Sequence, residues 1–172
     1  MKRTLLLIRH AKSDWGDPQL RDYDRPLNAR GLRDAPELGR RLREDLKVAP
    51  GKILSSTARR AAETTHGVLQ GLDLSQMAVQ WEDDMYHASP AVLEDFLFGV
   101  DDAYRTVFMV AHNPGISQFA HQLLPGLPLS EMPTCCAVAI QTNAARWQDV
   151  PLAKNTLLFI DTPKVPSEKI NP

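Results

Sequence analysis

Cysteine is nearly missing from this sequence. The two that occur, Cys135 and Cys136, are adjacent, so no disulfide can tie distant segments together, and such sparse use fits a reducing compartment. Aromatic residues make up only 6% of the chain, and Trp15, Trp81 and Trp147 are too scattered to build a base-stacking surface for nucleic acid. An excess of charge of either sign is lacking as well. The net charge is −1, which removes any general attraction to nucleic acid or to an anionic membrane surface. Long apolar runs are absent too. No stretch approaches a bilayer span, and the opening "MKRTLLLI" has an apolar segment of only 5–8, too short for a secretion signal. The expectation is a soluble, cytoplasmic protein with neither nucleic acid nor membrane as partner.

What is present is the composition of an ordinary globular protein, 43% hydrophobic and 24% charged over 172 residues, enough chain for one substantial core. Apolar runs of strand length fall at 5–8, 52–54 and 107–111, with a shorter candidate at 77–81. Segments of helical period lie between them. Leu38, Leu42 and Leu46 form one apolar stripe, with Arg40, Arg41, Arg43 and Glu44 on the polar side. A second helix is expected over 58–72, a third over 92–100, and a fourth after Pro114 through Ile116, Phe119, Ala120 and Leu123. Strands alternating with helices predict an α/β fold, a three-layer, doubly wound, mostly parallel sheet with helices on both faces. Near the C-terminus, 136–141 and 155–161 read as strands with no helix between them, an antiparallel edge. Residues 1–172 read as a single domain, with 163–172 an extended, proline-rich tail. Pro36 leaves two readings open. Either a helix that starts at Asn28 is kinked there, or Asp34 caps a helix in which proline occupies the first turn.

Basic residues gather where strands end. The first strand stops at Arg9-His10, the strand at 52–54 leads into "SSTARR", and "TVFMVA" leads into His112. In doubly wound sheets functional groups collect beyond the carboxyl ends of the strands. If the sheet is parallel, two histidines and several arginines therefore converge on one edge. Guanidiniums suit the equatorial oxygens of a phosphoryl group. A neutral imidazole can attack phosphorus covalently, and nearby cations hold its pKa down so that it stays unprotonated.

Four spaced motifs, "RHA" after the first strand, "DRPLNARG" at 24–31, "SSTARRAAET" at 55–64 and "VAHNPG" at 110–115, together resemble the histidine phosphatase (phosphoglycerate mutase-like) superfamily, and within it the small SixA-type phosphohistidine phosphatase branch. The resemblance covers nearly the whole chain in the right order. It implies a phosphoglycerate mutase-like fold with a minimal cap, and catalysis that requires no cofactor and no metal. It implies His10 as the phosphorylated nucleophile, Arg9 and Arg60 as phosphate-gripping residues, His112 as the second, phosphate-binding histidine, and Arg25 as a pocket arginine. For Arg25 the competing reading is a surface salt bridge with Asp22 or Asp24. Lys12 and Ser13 are further phosphate-binding candidates, Ser13 having a local turn as its alternative, while Arg59 reads as solvent-facing.

The sequence departs from the superfamily pattern in two places. Ala11 stands where glycine usually follows the histidine, with Lys12 in place of a common acidic residue. No glutamate falls in register as the proton donor of the larger members; in "WEDDMYHASP", Glu82, Asp83, Asp84 and His87 are the candidates, of which His87 and Asp84 are carried forward. Phosphate leaving an alcohol needs a proton delivered to the departing oxygen. Phosphohistidine whose other ring nitrogen is protonated leaves as neutral imidazole and needs the donor less. The missing acid and the short 72–107 segment, too short for a large cap, tilt the expected partner toward a phosphorylated protein bearing phosphohistidine, and the role toward signal transduction. The alternatives are a small phosphate ester as substrate, or a phosphate-binding module without catalysis; a mutase is disfavoured. Nothing in the sequence sets the oligomeric state.

Overall fold

The computed structural model describes residues 2–164. All but residues 163–164 of the expected extended tail fall outside the described residues. The chain runs β1 (Arg3–Arg9), α1 (Ala29–Glu44), β2 (Lys52–Ser56), α2 (Arg59–Gly71), β3 (Gln80–Glu82), α3 (Pro90–Phe98), β4 (Thr106–Ala111), α4 (Gly115–Leu123), β5 (Ala137–Thr142) and β6 (Asn155–Asp161). Short 3₁₀ turns occur at Asp22–Asp24, Asp83–Met85 and Trp147–Leu152. The six strands form one sheet in the order β3-β2-β4-β1-β5-β6. The first four in that order are mutually parallel, while β5 runs antiparallel to both β1 and β6.

β1 is apolar without alternation because both of its faces are covered. Leu5 and Leu7 pack into a cluster with Leu93 and Leu97 of α3 and Ile116, Phe119 and Leu123 of α4. Leu6 and Ile8 pack on the other side with Leu38 and Leu42 of α1 and Val68 and Leu69 of α2. The helix after β1 thus covers one face and the helix after β4 the other, while the two strands are neighbours. That reversal is a topological switch point, and it opens a crevice beyond the carboxyl ends of β1 and β4.

Several boundaries differ from the sequence expectation. The strand expected at 77–81 is the three-residue edge strand β3, shifted toward its C-terminal end. The third helix begins at Pro90, after Ser89 accepts a hydrogen bond from the Val92 N–H, and stops at Phe98. A serine cap followed by proline is a start signal that the apolar spacing alone overlooks. Pro36 lies inside α1, whose cap is Asn28, the side chain accepting from the Gly31 N–H at 2.9 Å. Asp34 is therefore not the cap; its carboxylate accepts from Arg30.

One buried ion pair ties the helix layer to the sheet edge. Arg41 of α1 donates through Nε and Nη2 to the carboxylate of Asp161 at the end of β6, with contacts of 2.6–3.2 Å. Removing one partner of such a pair leaves a buried charge uncompensated, which costs about 3–5 kcal/mol. Asp161→Ala is therefore expected to lower the urea midpoint by a loss of that order at an unchanged slope. A loss below about 1 kcal/mol, the scale of a surface pair, would contradict this.

Candidate active site

The parallel pairing of β1 with β4 places Arg9 opposite Ala111, and the His10 N–H donates to the Ala111 carbonyl at 3.2 Å. His10 and His112 consequently leave adjacent strands at the same level. Their ring centroids lie 5.1 Å apart with planes inclined at 50°. β2, next along the sheet, ends in Ser56, and Arg60 follows in the first turn of α2. Arg60 donates its Nε–H to Nε2 of His10 at 3.3 Å.

The backbone after His10 is held from two sides. The Ala11 N–H donates to Thr64 Oγ1 at 2.9 Å, and that hydroxyl in turn donates to the Arg60 carbonyl. The Asn28 N–H donates to the Lys12 carbonyl at 2.9 Å. Close approach of α1 requires Gly31, because a Cβ there would stand 2.2 Å from the same Lys12 oxygen. Gly115 has a similar task at the start of α4, where a Cβ would meet the Ala88 carbonyl oxygen at 1.9 Å. It lets the 86–88 segment lie against the His112 corner.

His10 Nδ1 sits 2.8 Å from the Ala11 carbonyl oxygen. A carbonyl only accepts, so Nδ1 carries the proton and Nε2 keeps its lone pair. Burial, followed by the nearby cations Arg60, Arg9 and Arg25, brings the His10 pKa down to about 4. His112 is pushed to about 2, again by burial first and then by His10 and Arg60. Its Nε2 is 2.8 Å from Ser56 Oγ, while its Nδ1 is buried without a hydrogen-bond partner among the described residues.

Arg9 donates through Nη1 to the Met132 carbonyl at 2.9 Å, and its Nε is likewise buried without a partner. Asn113 and Ser117 fix that carbonyl: Asn113 Nδ2 donates to it, and Ser117 Oγ accepts from the Met132 N–H.

Asp22 is the residue that sequence reasoning weighed only as a surface partner for Arg25. Its carboxylate accepts from Arg60 Nη2 at 3.0 Å, from Arg25 Nε at 3.1 Å and from the Tyr86 hydroxyl at 2.6 Å, and His87 Nε2 stands 3.6 Å away. Burial pushes its pKa up, but the Tyr86 hydrogen bond and the Arg60 and Arg25 charges prevail and hold it at about 2. Arg25 makes the ion pair and is nevertheless only 7% exposed, with its guanidinium stacked on Trp15 at 3.4 Å. The spacing of Asp22 three positions before Arg25 was the available signal. Tyr86, edge-on to His112 at 5.5 Å, had none.

The remaining candidates lie farther out. Lys12, Asp84 and His87 are exposed, and His87 has a left-handed backbone, φ 54°. Ser13 is buried and forms an isolated antiparallel bridge with Leu27, a long-range pairing rather than a local turn. Arg59 is exposed and paired with Glu63.

The two imidazoles take up fewer protons folded than unfolded below the ordinary histidine pKa of ~6.5. Stability therefore rises with pH across that window and is lost as pH falls from about 6.5 toward 4. Asp22 adds its own loss only below 3.8. The melting temperature is expected to drop between about pH 6.5 and 4.5, and the drop should be shallower in the His10→Gln, His112→Gln double variant. Equal slopes for the two proteins would contradict the assignment.

The family model of the histidine phosphatase superfamily (branch 1) matches residues 5–85. An uncharacterised protein of Mycobacterium leprae is 31% identical over 168 residues, covering 91% of this chain and 100% of its own. Among solved structures, a candidate phosphohistidine phosphatase SixA of Nakamurella multipartitia superposes with a TM-score of 0.80 at 25% identity, covering 96% of this chain and 98% of that one. The protein histidine phosphatase SixA complexed with tungstate shares the fold at a TM-score of 0.74 and 16% identity, covering 91% and 95%. The order of the motifs, the sheet and these matches agree, and the chain belongs to the histidine phosphatase superfamily, branch 1.

Proposed function

We propose that the chain is a phosphohydrolase in which Nε2 of His10 takes the phosphoryl group, and that its preferred substrate is phosphohistidine on a protein. One observation carries the reading. An unprotonated nitrogen of a neutral imidazole accepts from a guanidinium N–H at 3.3 Å and stands beside a second neutral imidazole. A general phosphate-binding module needs donors but no nucleophile.

The residues then divide the work. The His10 Nε2 lone pair attacks phosphorus while the bond from phosphorus to the leaving nitrogen breaks. Arg60, Arg9 and Arg25 stabilise the equatorial oxygens, with Nε of Arg9 a buried donor that has no partner among the described residues. His112 presents its unpartnered Nδ1 to the same group. Phosphorylation at Nε2 with the proton retained on Nδ1 makes the ring a cation, and the Ala11 carbonyl accepts from that N–H. Water next attacks phosphorus, the Nε2–P bond breaks, and His10 departs as a neutral imidazole. Lys12 adds positive potential at the mouth; Ser13 supports the loop rather than the phosphate.

The same chemistry favours phosphohistidine as substrate, since it too leaves as neutral imidazole when its distal nitrogen is protonated. Asp22 is ionised at neutral pH and so offers no proton to an alcohol, and Asp84 is exposed. The connection between β3 and β4 holds only a 3₁₀ turn and α3, which leaves the crevice accessible to a protein side chain. The SixA-type neighbours support the same class. One observation favours a small phosphate ester instead. His87, at the mouth and 3.6 Å from Asp22, is placed to protonate a departing alkoxide.

Rapid-quench labelling decides between these readings. A ³²P-phosphohistidine protein should leave acid-labile, base-stable label on the wild type and none on His10→Ala. Removal of the nucleophile should lower turnover by at least 10³-fold. Comparable turnover of a phosphorylated imidazole and an alkyl phosphate would favour the ester reading. Binding without label or turnover would leave only the recognition module.

A further inference from the structure

We infer that Ser56 is a positioning residue that sets the tautomer of His112, making its Nδ1 a hydrogen-bond donor toward the phosphoryl group rather than a lone pair facing it. The inference rests on the phosphohydrolase reading only for its kinetic consequence; the tautomer itself follows from hydrogen-bond bookkeeping.

Ser56 is the last residue of β2 and is fully buried. A hydroxyl carries one proton and two lone pairs. The Ala58 N–H donates to Ser56 Oγ at 3.2 Å, occupying one lone pair and orienting the group. The neighbouring hydroxyl is not a competitor, because Ser55 Oγ turns to the Ser56 carbonyl and to Thr65. Within hydrogen-bond reach of the Ser56 proton stands Nε2 of His112, at 2.8 Å. Donation from Ser56 leaves one buried group unpaired among the described residues, the Nδ1–H. The reverse leaves two, the Ser56 O–H and the Nδ1 lone pair, and each such group costs about 1–3 kcal/mol. Ser56 therefore donates to Nε2, Nε2 is the bare nitrogen, and the ring proton belongs to Nδ1.

The consequence is large because His112 is neutral. A protonated imidazole would donate from both nitrogens whatever its neighbours. A neutral one has a single N–H, and the neighbour decides where it goes. Nδ1 is the buried atom without a partner among the described residues, on a ring whose centroid is 5.1 Å from that of the nucleophile. With the proton there it can hydrogen-bond a phosphoryl oxygen. With the proton on Nε2 it would present a lone pair to an anion. His10 is fixed in the same sense of tautomer, its Nδ1–H donating to the Ala11 carbonyl, but turned so that Nε2 meets Arg60. Two rings in one tautomer thus present opposite faces, one a nucleophile and one a donor. A backbone carbonyl governs the first, and one side-chain hydroxyl governs the second.

The experiment is long-range ¹H–¹⁵N correlation on the full chain with ¹⁵N-labelled histidine at neutral pH, assigned with His10→Gln and His112→Gln. In a neutral ring the bare nitrogen resonates well downfield of the protonated one. The wild type should show His112 with Nδ1 protonated and Nε2 bare, and inorganic phosphate should move the Nδ1 signal. Ser56→Ala should bring the two His112 nitrogens toward each other while leaving His10 in place. It should also weaken inorganic phosphate binding and lower kcat/KM by roughly 10–100-fold, the usual effect of losing an orienting partner. Ser56→Thr, which keeps the hydroxyl, should restore the His112 spectrum. A wild-type spectrum with Nε2 protonated overturns the inference even if Ser56→Ala does not fold. So does a folded Ser56→Ala with His112 shifts and phosphate affinity unchanged. If the His112 tautomer and phosphate binding respond as expected but no substrate is turned over, the phosphohydrolase reading fails and the role of Ser56 stands.

Discussion

The register between β1 and β4 is the constraint on which everything at the crevice depends. Each histidine is the first residue past its strand, so the pairing of Arg9 with Ala111 sets the two rings at one level. A slip of one residue would move one ring by about 3.3 Å and turn its side chain to the other face. Two-sided burial prevents that slip. Leu5 and Leu7 belong to the α3–α4 side and Leu6 and Ile8 to the α1–α2 side, so a displaced strand would leave both cores mispacked. The geometry of the site is thus maintained by the apolar packing of residues that never touch it.

Charge is the second element. Arg9, Arg25 and Arg60 are brought together with two imidazoles in a region withdrawn from water, an arrangement that is costly unless balanced. Two adjustments balance it. The imidazoles stay neutral, their pKa values depressed to about 4 and about 2. Asp22 then compensates Arg60 and Arg25, with Tyr86 donating to the same carboxylate. Neutrality gives each ring a single proton, and the chemistry of the site follows from where that proton resides.

Much of this was legible in the sequence, and the reason differs from one residue to the next. β1 and β4 announce themselves as apolar runs because both faces are buried, and the residues just past them are chemically conspicuous. The start of a helix after a strand made Arg59 and Arg60 conspicuous together, and only the family resemblance chose Arg60. Asp22 was legible only as a partner for Arg25, and Tyr86 not at all. They come from a 3₁₀ turn and a loop without periodicity, and their meeting depends on how α1, α2 and the 83–88 segment pack. β3 was misplaced because a three-residue edge strand carries too short a pattern to locate. Pro36 stayed open because proline is compatible with a first turn or an interior position, and only tertiary packing chooses between them. Ser56 was quoted within a motif, yet its contact with His112 joins residues 56 positions apart and is invisible to local spacing.

The central claim is that Nε2 of His10 is the phosphoryl acceptor within a ring of donors, and a crystal structure with bound tungstate tests it most directly. The account predicts the metal atom bonded to, or in van der Waals contact with, Nε2 of His10, with its oxygens about 3 Å from Nε of Arg9, the guanidinium of Arg60 and Nδ1 of His112. An oxyanion held through Nδ1 of His10, or lying away from both histidines, would contradict it.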